Sequence, residues 1–440
     1  MNVTSVTRRN ALLTSLFGAG YVGLRALATG LPVSFLLNPR RALASGACTT
    51  ATKARFVIFN TSGNGDPINA SVPGTYEDPK IVHSTDPTMA PTKLTVAGTA
   101  TTAAAPWAML PQSVLDQTQF WHVMTNTPVH PKEPQVLELM GATQNGEMFP
   151  SVLAKALAPC LGTIQPQPLS VGATNPSESL QYGGATQPTI PPTALRATLT
   201  NAPGPLTNLQ SLRDQTMNSL YALYKNQASP AQQAYIDSLV TSQTQVRNIN
   251  QGLLDNLASI TDNSQDSQIL AALTLIQMNV APVIAIHIDF GGDNHRDVDL
   301  ANETTQTVAG VASIGSLMSQ LQKLGLQDKV CFMTLNVFGR TIGPGNDQGR
   351  AHNPNHHVAL AIGSNMKGGI YGAVQPVGSD YGCTPMSSQT GAGGASGDIV
   401  PTDTLAAWAQ TMLVSVGADP SAITSPVNTA KPIMSAIAPT

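Results

Sequence analysis

The sequence predicts an α/β fold: a central, mostly parallel sheet flanked by helices. Three observations carry that expectation. First, "APVIAIHIDF" (281–290), "KVCFMTLNV" (329–337) and "HVALAIG" (357–363) are nearly continuous apolar runs. Strands covered on both faces look like this, and parallel sheets supply them. Second, 302–324 places Val308, Val311, Ile314, Leu317, Met318, Leu321 and Leu324 at helical intervals, the stripe of an amphipathic helix. Third, strand, helix and strand follow in the order of a crossover unit.

The elements follow in order. The N-terminus carries paired Arg8 and Arg9, an apolar stretch over 11–24, and Ala42-Leu43-Ala44 as a small-x-small cleavage site. That is the layout of a twin-arginine signal peptide over 1–44. Arg25, glycines and Pro32 break the apolar run. No clean span of about 20 residues is left, so no stable transmembrane segment is expected. The mature chain, 45–440, is then one periplasmic or extracellular domain, and the twin-arginine translocase is its partner during export.

"ARFVIFN" (54–60) reads as a buried strand ending in the polar, glycine-rich loop "TSGNGDPINASVPG". From 75 to 201 the chain is rich in Pro, Thr, Ala and Gly. It reads as irregular, with short helices near 111–117 and 150–158. Between 202 and 280 leucines recur at helical spacing, which predicts a helical insertion or subdomain. One helix opens at Ser229-Pro230 and another covers Asp266 to Met278. Near the end, Thr402 to Val416 presents Leu405, Trp408 and Met412 on one face.

Composition narrows the function. Charged residues make up 11% of 440 and the formal net charge is −3, against roughly 25% charged residues in typical soluble domains. Nothing in this balance forms the basic footprint of a nucleic-acid binder. No G-x-G-x-x-G or P-loop spacing points to a nucleotide. The cysteines are Cys48, Cys160, Cys331 and Cys383. An oxidising compartment allows them to pair in three ways.

Ligands of open parallel sheets bind beyond the carboxyl ends of the strands. The unusual polar stretches fall there: 60–66, 289–297, and 336–340 running on into "GRAHNPNHH" (349–357). Pro354 forbids a regular helix through His352 and His356. His356 and His357 stand side by side at a strand start, so one of them is expected to face the site.

The twin-arginine start, "GDPINASVP", "GGDNH", "FGRT" and "GRAHNPNHHVALAIGSNMKGGIYG" resemble a family of exported bacterial proteins, the domain of unknown function 1501. That family is placed in the alkaline-phosphatase and sulfatase-like superfamily. The resemblance is strongest over 281–420. It implies an alkaline-phosphatase-like sheet with a two-metal site at the strand ends. There, a pair of dications would stabilise attacking and leaving oxygens of phosphate or sulfate esters.

Residue by residue, Asp293 and His295 match, and Asp66 fits the "D-x-x-N" feature ending at Asn69. Asn60 stands where a metal-binding Asp is expected, Asn336 and Val337 replace an acid before "FGRT", and Ala351 precedes His352 in place of an Asp. Thr61 and Ser62 are the hydroxyls placed to act as nucleophile, and Arg340 can grip an oxyanion. The surviving metal ligands are Asp66, Asp293, His295, His352 and one of His356 or His357, with His356 taken here. This set suffices for one divalent metal, whether zinc, manganese, magnesium or calcium, and falls short of two. The expected function is an exported envelope protein that binds a small anionic ligand or envelope component without two-metal catalysis. The alternative is a metal-dependent hydrolase of phosphate or sulfate esters.

Overall fold

In a computed structural model, residues 53–65, 68–172, 179–200, 251–423 and 430–439 are described, with a few helical positions between 215 and 233. The stretch 1–44 read as a signal peptide, Cys48, Asp66 and most of the 202–250 stretch, including the helix read at Ser229-Pro230, lie outside the described residues.

The core is one eight-stranded sheet. We number the elements used below as β1 (Phe56–Asn60), β2 (Thr118–Val123), β3 (Leu169–Val171), β4 (Thr189–Ile190), β5 (Val283–Ile286), β6 (Val330–Thr334), β7 (Gly339–Arg340), β8 (His352–Asn353), β9 (His357–Ile362) and β10 (Gly369–Tyr371). The sheet order is β10-β2-β9-β6-β1-β5-β3-β4. β6, β1, β5, β3 and β4 pair in parallel. β9 runs antiparallel to both its neighbours, and β10 is parallel to β2. The sheet is therefore mostly parallel, as expected, with β9 alone reversed.

That reversal matters. The start of β9 lies at the rim where its neighbours end: His357 is paired with Val123, the last residue of β2. The 283–334 crossover also skips a strand, because β1 sits between β5 and β6.

Helices cover both faces. On one face Ile58, Phe120, Ile284 and Phe332 pack with Ile269 and Leu273 of α2 (Gln265–Gln277) and Ile314 and Leu317 of α3 (Ala301–Lys323). On the other, Val57, Phe59, Trp121 and Met333 meet Phe149 and Leu153 of α1 (Phe149–Leu161) and Trp408 and Met412 of α4 (Thr404–Ser415). Alternate residues of β1 thus feed opposite cores, as a period of two demands. Each fully buried Leu, Ile or Phe contributes on the order of 1.5–3 kcal/mol. The helix expected at 266–278 is accordingly a layer of this core.

Two expectations change. The stretch read as irregular contains β2, a strand with two neighbours inside the sheet. Its sequence, TQFWHV, is buried throughout although half of it is polar. Each polar group finds a partner inside: Thr118 donates to Val114 O at 2.7 Å, and the Trp121 indole donates to Gln119 at 2.9 Å. No apolar run marks this strand in the sequence for that reason. Among the cysteines, Cys160 is in a disulfide, while Cys331 and Cys383 are free and buried. Among the described residues no helix is long and apolar enough to cross a membrane.

Candidate metal centre

Four loops meet beyond the sheet's carboxyl rim. They follow β1, β2, β5 and β6, and the last returns as the small β7–β8 hairpin before β9. In this hairpin Gly339 pairs with Asn353 and Arg340 pairs with His352.

Four side chains converge there: His130, Asp293, His295 and His352, each offering a ligand atom within 4.8 Å of every other. The His295 and His352 Nε2 atoms are 2.8 Å apart. Asp293 Oδ1 lies 3.4 Å from His295 Nε2, and Oδ2 lies 3.6 Å from His130 Nε2. This group could hold a metal ion.

The second ring nitrogens decide which atoms face the centre. His130 Nδ1 donates to Gly63 O at 2.9 Å. His352 Nδ1 donates to Pro128 O. With those protons committed, both Nε2 atoms carry lone pairs toward the centre. Metal-binding imidazoles are oriented in just this manner, by a second hydrogen bond to a fixed acceptor. Two nitrogens on one tetrahedral zinc, at about 2.0–2.1 Å from the ion, would stand roughly 3.3 Å apart. The observed 2.8 Å is within half an ångström of that. The side chains of Asp293 and His295 are 48% and 49% exposed, which leaves them room to rotate toward an ion.

Packing holds the rest. The Phe338 ring lies 4.2 Å from that of His352 and 5.0 Å from that of His130. Gly65 has φ +64° and sits against Phe338, where a Cβ would overlap the ring. Arg340 is fully buried. Its Nη2 donates to Asp293 Oδ1 at 3.0 Å and to Asn64 O at 2.6 Å, and its Nη1 donates to Arg350 O at 3.4 Å. Arg340 therefore fixes the β1 loop and aims the carboxylate. Partial burial of Asp293 opposes its charge, but Arg340 and the two histidines outweigh that and hold its pKa below the usual value. Burial lowers the His352 pKa against the pull of Pro128 O, and the nearby Arg340, His130 and His295 add to the depression. Both shifts leave the ligand-competent forms, carboxylate and neutral imidazole, dominant near neutrality.

The other residues singled out in the sequence go elsewhere. Thr61 is buried and its hydroxyl donates to Glu133. Ser62 accepts from Asn64 N at 3.2 Å. Asn60, standing where an acid was expected, clamps the peptide of Ile288: it accepts from Ile288 N at 2.5 Å and donates to Ile288 O at 3.3 Å. It anchors the loop that carries Asp293.

Of the three clustered histidines only His352 joins the group. His356, read as a ligand, is buried, and both of its ring nitrogens are bonded inside the protein. Its Nδ1 meets Asn69 Nδ2 at 3.3 Å and its Nε2 meets His122 Nδ1 at 2.8 Å. His357 is buried, and its Nε2 accepts from Asn336 N at 3.4 Å. The expectation that one of this pair faces the site fails because β9 begins inside the protein, so both faces of the strand are covered.

His130 escaped the sequence reading. Its signal was a histidine between prolines in "TPVHPKEP". That signal acquires meaning only once β2 is recognised as a strand of the main sheet.

A buried ion pair steadies the two loops. Arg350 Nε and Nη2 bind Glu303 Oε2 and Oε1 at 2.5 and 3.0 Å, and Arg350 also donates to Thr341 O and Val82 O at 2.9 Å each. Asn294, between Asp293 and His295, donates to Glu303 at 3.2 Å.

No curated protein matches the chain. The family model described as "Protein of unknown function (DUF1501)" matches residues 193–390, a stretch that contains Asp293, His295, Arg340 and His352 but not His130. That match supports the domain of unknown function 1501 named from the sequence.

Proposed function

We propose that this is an exported envelope protein with an alkaline-phosphatase-like fold and a reduced, one-metal site that binds a small anionic ligand. The observation that carries the reading is the convergence of three imidazoles and one carboxylate, two of the imidazoles keyed by backbone carbonyls. This donor set suits zinc, whereas calcium and magnesium prefer all-oxygen shells.

Charge supports an anion. Three neutral imidazoles contribute none, Asp293 and Arg340 cancel, and a bound dication remains uncompensated. Exposure supports access, because Asp293 and His295 are about half open to solvent. A buried structural site would close over its ion. Thr61 and Ser62 are both buried, out of reach of a ligand at the exposed cluster, which argues for binding over nucleophilic catalysis through them.

The test uses protein purified from the periplasmic fraction of cells expressing the full chain. One zinc per chain is expected, together with calorimetric binding of inorganic phosphate that EDTA abolishes. Protein confined to the cytoplasm would refute export, and a chain that retains no zinc would refute the site. Zinc-dependent turnover of aryl phosphates or sulfates would favour the hydrolase instead.

A further inference from the structure

We infer that Asn69 and His356 are positioning residues of the metal centre, acting through the peptide of Arg340. The inference rests on the proposed site and concerns what holds it in shape.

Asn69 follows β1 in the short helical turn Ile68–Ser71 and is fully buried. Its amide grips both sides of one residue: Nδ2 donates to Arg340 O at 2.7 Å and Oδ1 accepts from Arg340 N at 3.4 Å. The same Nδ2 reaches His356 Nδ1 at 3.3 Å.

Donor and acceptor roles then propagate without ambiguity. Asn69 donates, so His356 Nδ1 accepts and His356 Nε2 carries the proton. That proton goes to His122 Nδ1 at 2.8 Å, and His122 Nε2 donates to Pro73 O at 3.0 Å. The chain ends on a carbonyl of the same loop, so the orientation of the Asn69 amide is specified from both ends. A reversed amide would set a donor against Arg340 N and an oxygen against the lone pair of His356 Nδ1.

Arg340 is the point where this chain meets the metal ligands. Its guanidinium holds Asp293 at 3.0 Å, and its backbone pairs with His352 across the β7–β8 hairpin. Two ligands from different loops therefore depend on one clamped peptide. The fit is tight: a Cβ on Gly339 would overlap the His356 carbonyl.

The experiment measures zinc affinity by competition with a chromophoric chelator and records the cobalt(II) absorption spectrum, using the purified full-length mature protein. Asn69→Ala should weaken zinc binding about 10- to 100-fold, the usual effect of losing an outer partner, and should change the cobalt spectrum. Two variants of His356 discriminate further and stand in if Asn69→Ala does not fold. His356→Asn keeps an acceptor near the Nδ1 position and should restore near-native affinity and spectrum. His356→Gln places its amide near the Nε2 position, loses the contact with Asn69, and should resemble Asn69→Ala. Zinc affinity within about 3-fold of wild type for folded Asn69→Ala, with an unchanged spectrum, overturns the inference while leaving the proposed site standing. The same follows if the two His356 variants behave alike. A wild-type protein that binds neither metal overturns both readings.

Discussion

Replacing His130 by alanine separates metal binding from folding. Four-ligand structural zinc sites bind with about 10–16 kcal/mol, which shared evenly is about 2.5–4 kcal/mol per ligand. Losing one ligand then weakens zinc by roughly 70- to 900-fold. The folding effect is far smaller. Among the described residues the His130 ring hydrogen-bonds Gly63 O at 2.9 Å, and its side chain is 29% exposed. A single hydrogen bond of this kind contributes about 0.5–1.5 kcal/mol. Its ring also edges against Phe338 at 5.0 Å, which adds about 0.5–1.5 kcal/mol of aromatic contact. The assay is chelator competition at pH 7.5 for affinity, paired with urea unfolding in EDTA for stability. Zinc affinity within 3-fold of wild type would remove His130 from the centre. A folding loss of about 4 kcal/mol or more would make it a structural residue instead.

Two further outcomes follow from buried groups. Glu303→Ala leaves the fully buried Arg350 guanidinium without its carboxylate, so urea unfolding should show a loss of about 3–5 kcal/mol. A loss below 1 kcal/mol would mean that the pair does not steady these loops. Acid should unfold the protein early, because burial depresses the pKa of His122 to about 4 and of His357 to about 3, and burial beside those two rings holds that of His356 well below its usual value. A depressed imidazole stabilises the fold above its unfolded value near 6.5, and that contribution is lost as pH falls through the folded value. For His122 alone this is on the order of 3 kcal/mol. Stability measured by urea titration should fall steeply between pH 6.5 and 4, and His122→Gln should flatten the slope. A flat profile over that window would contradict neutral burial.

What the sequence by itself determined is the layered scaffold and three of the four groups of the candidate centre. The runs at 283–286 and 330–334 are apolar because their strands are covered on both faces, and the stripe at 301–323 is amphipathic because that helix has one wet side. Those are local consequences of burial, so they are legible one residue at a time. Asp293, His295 and His352 were legible too, as polar residues where strands give way to loops. Only the tertiary structure decided the rest. It sorted three neighbouring histidines into one member of the candidate centre and two internal hydrogen-bond partners, a choice made by the reversed direction of β9 and by what Asn69, His122 and Asn336 offer across the chain. It brought in His130 through β2, whose Gln119 and His122 are buried against distant partners and interrupt any apolar run. Hydrogen-bond complementarity of this kind depends on atoms more than two hundred residues apart, and no local pattern encodes it.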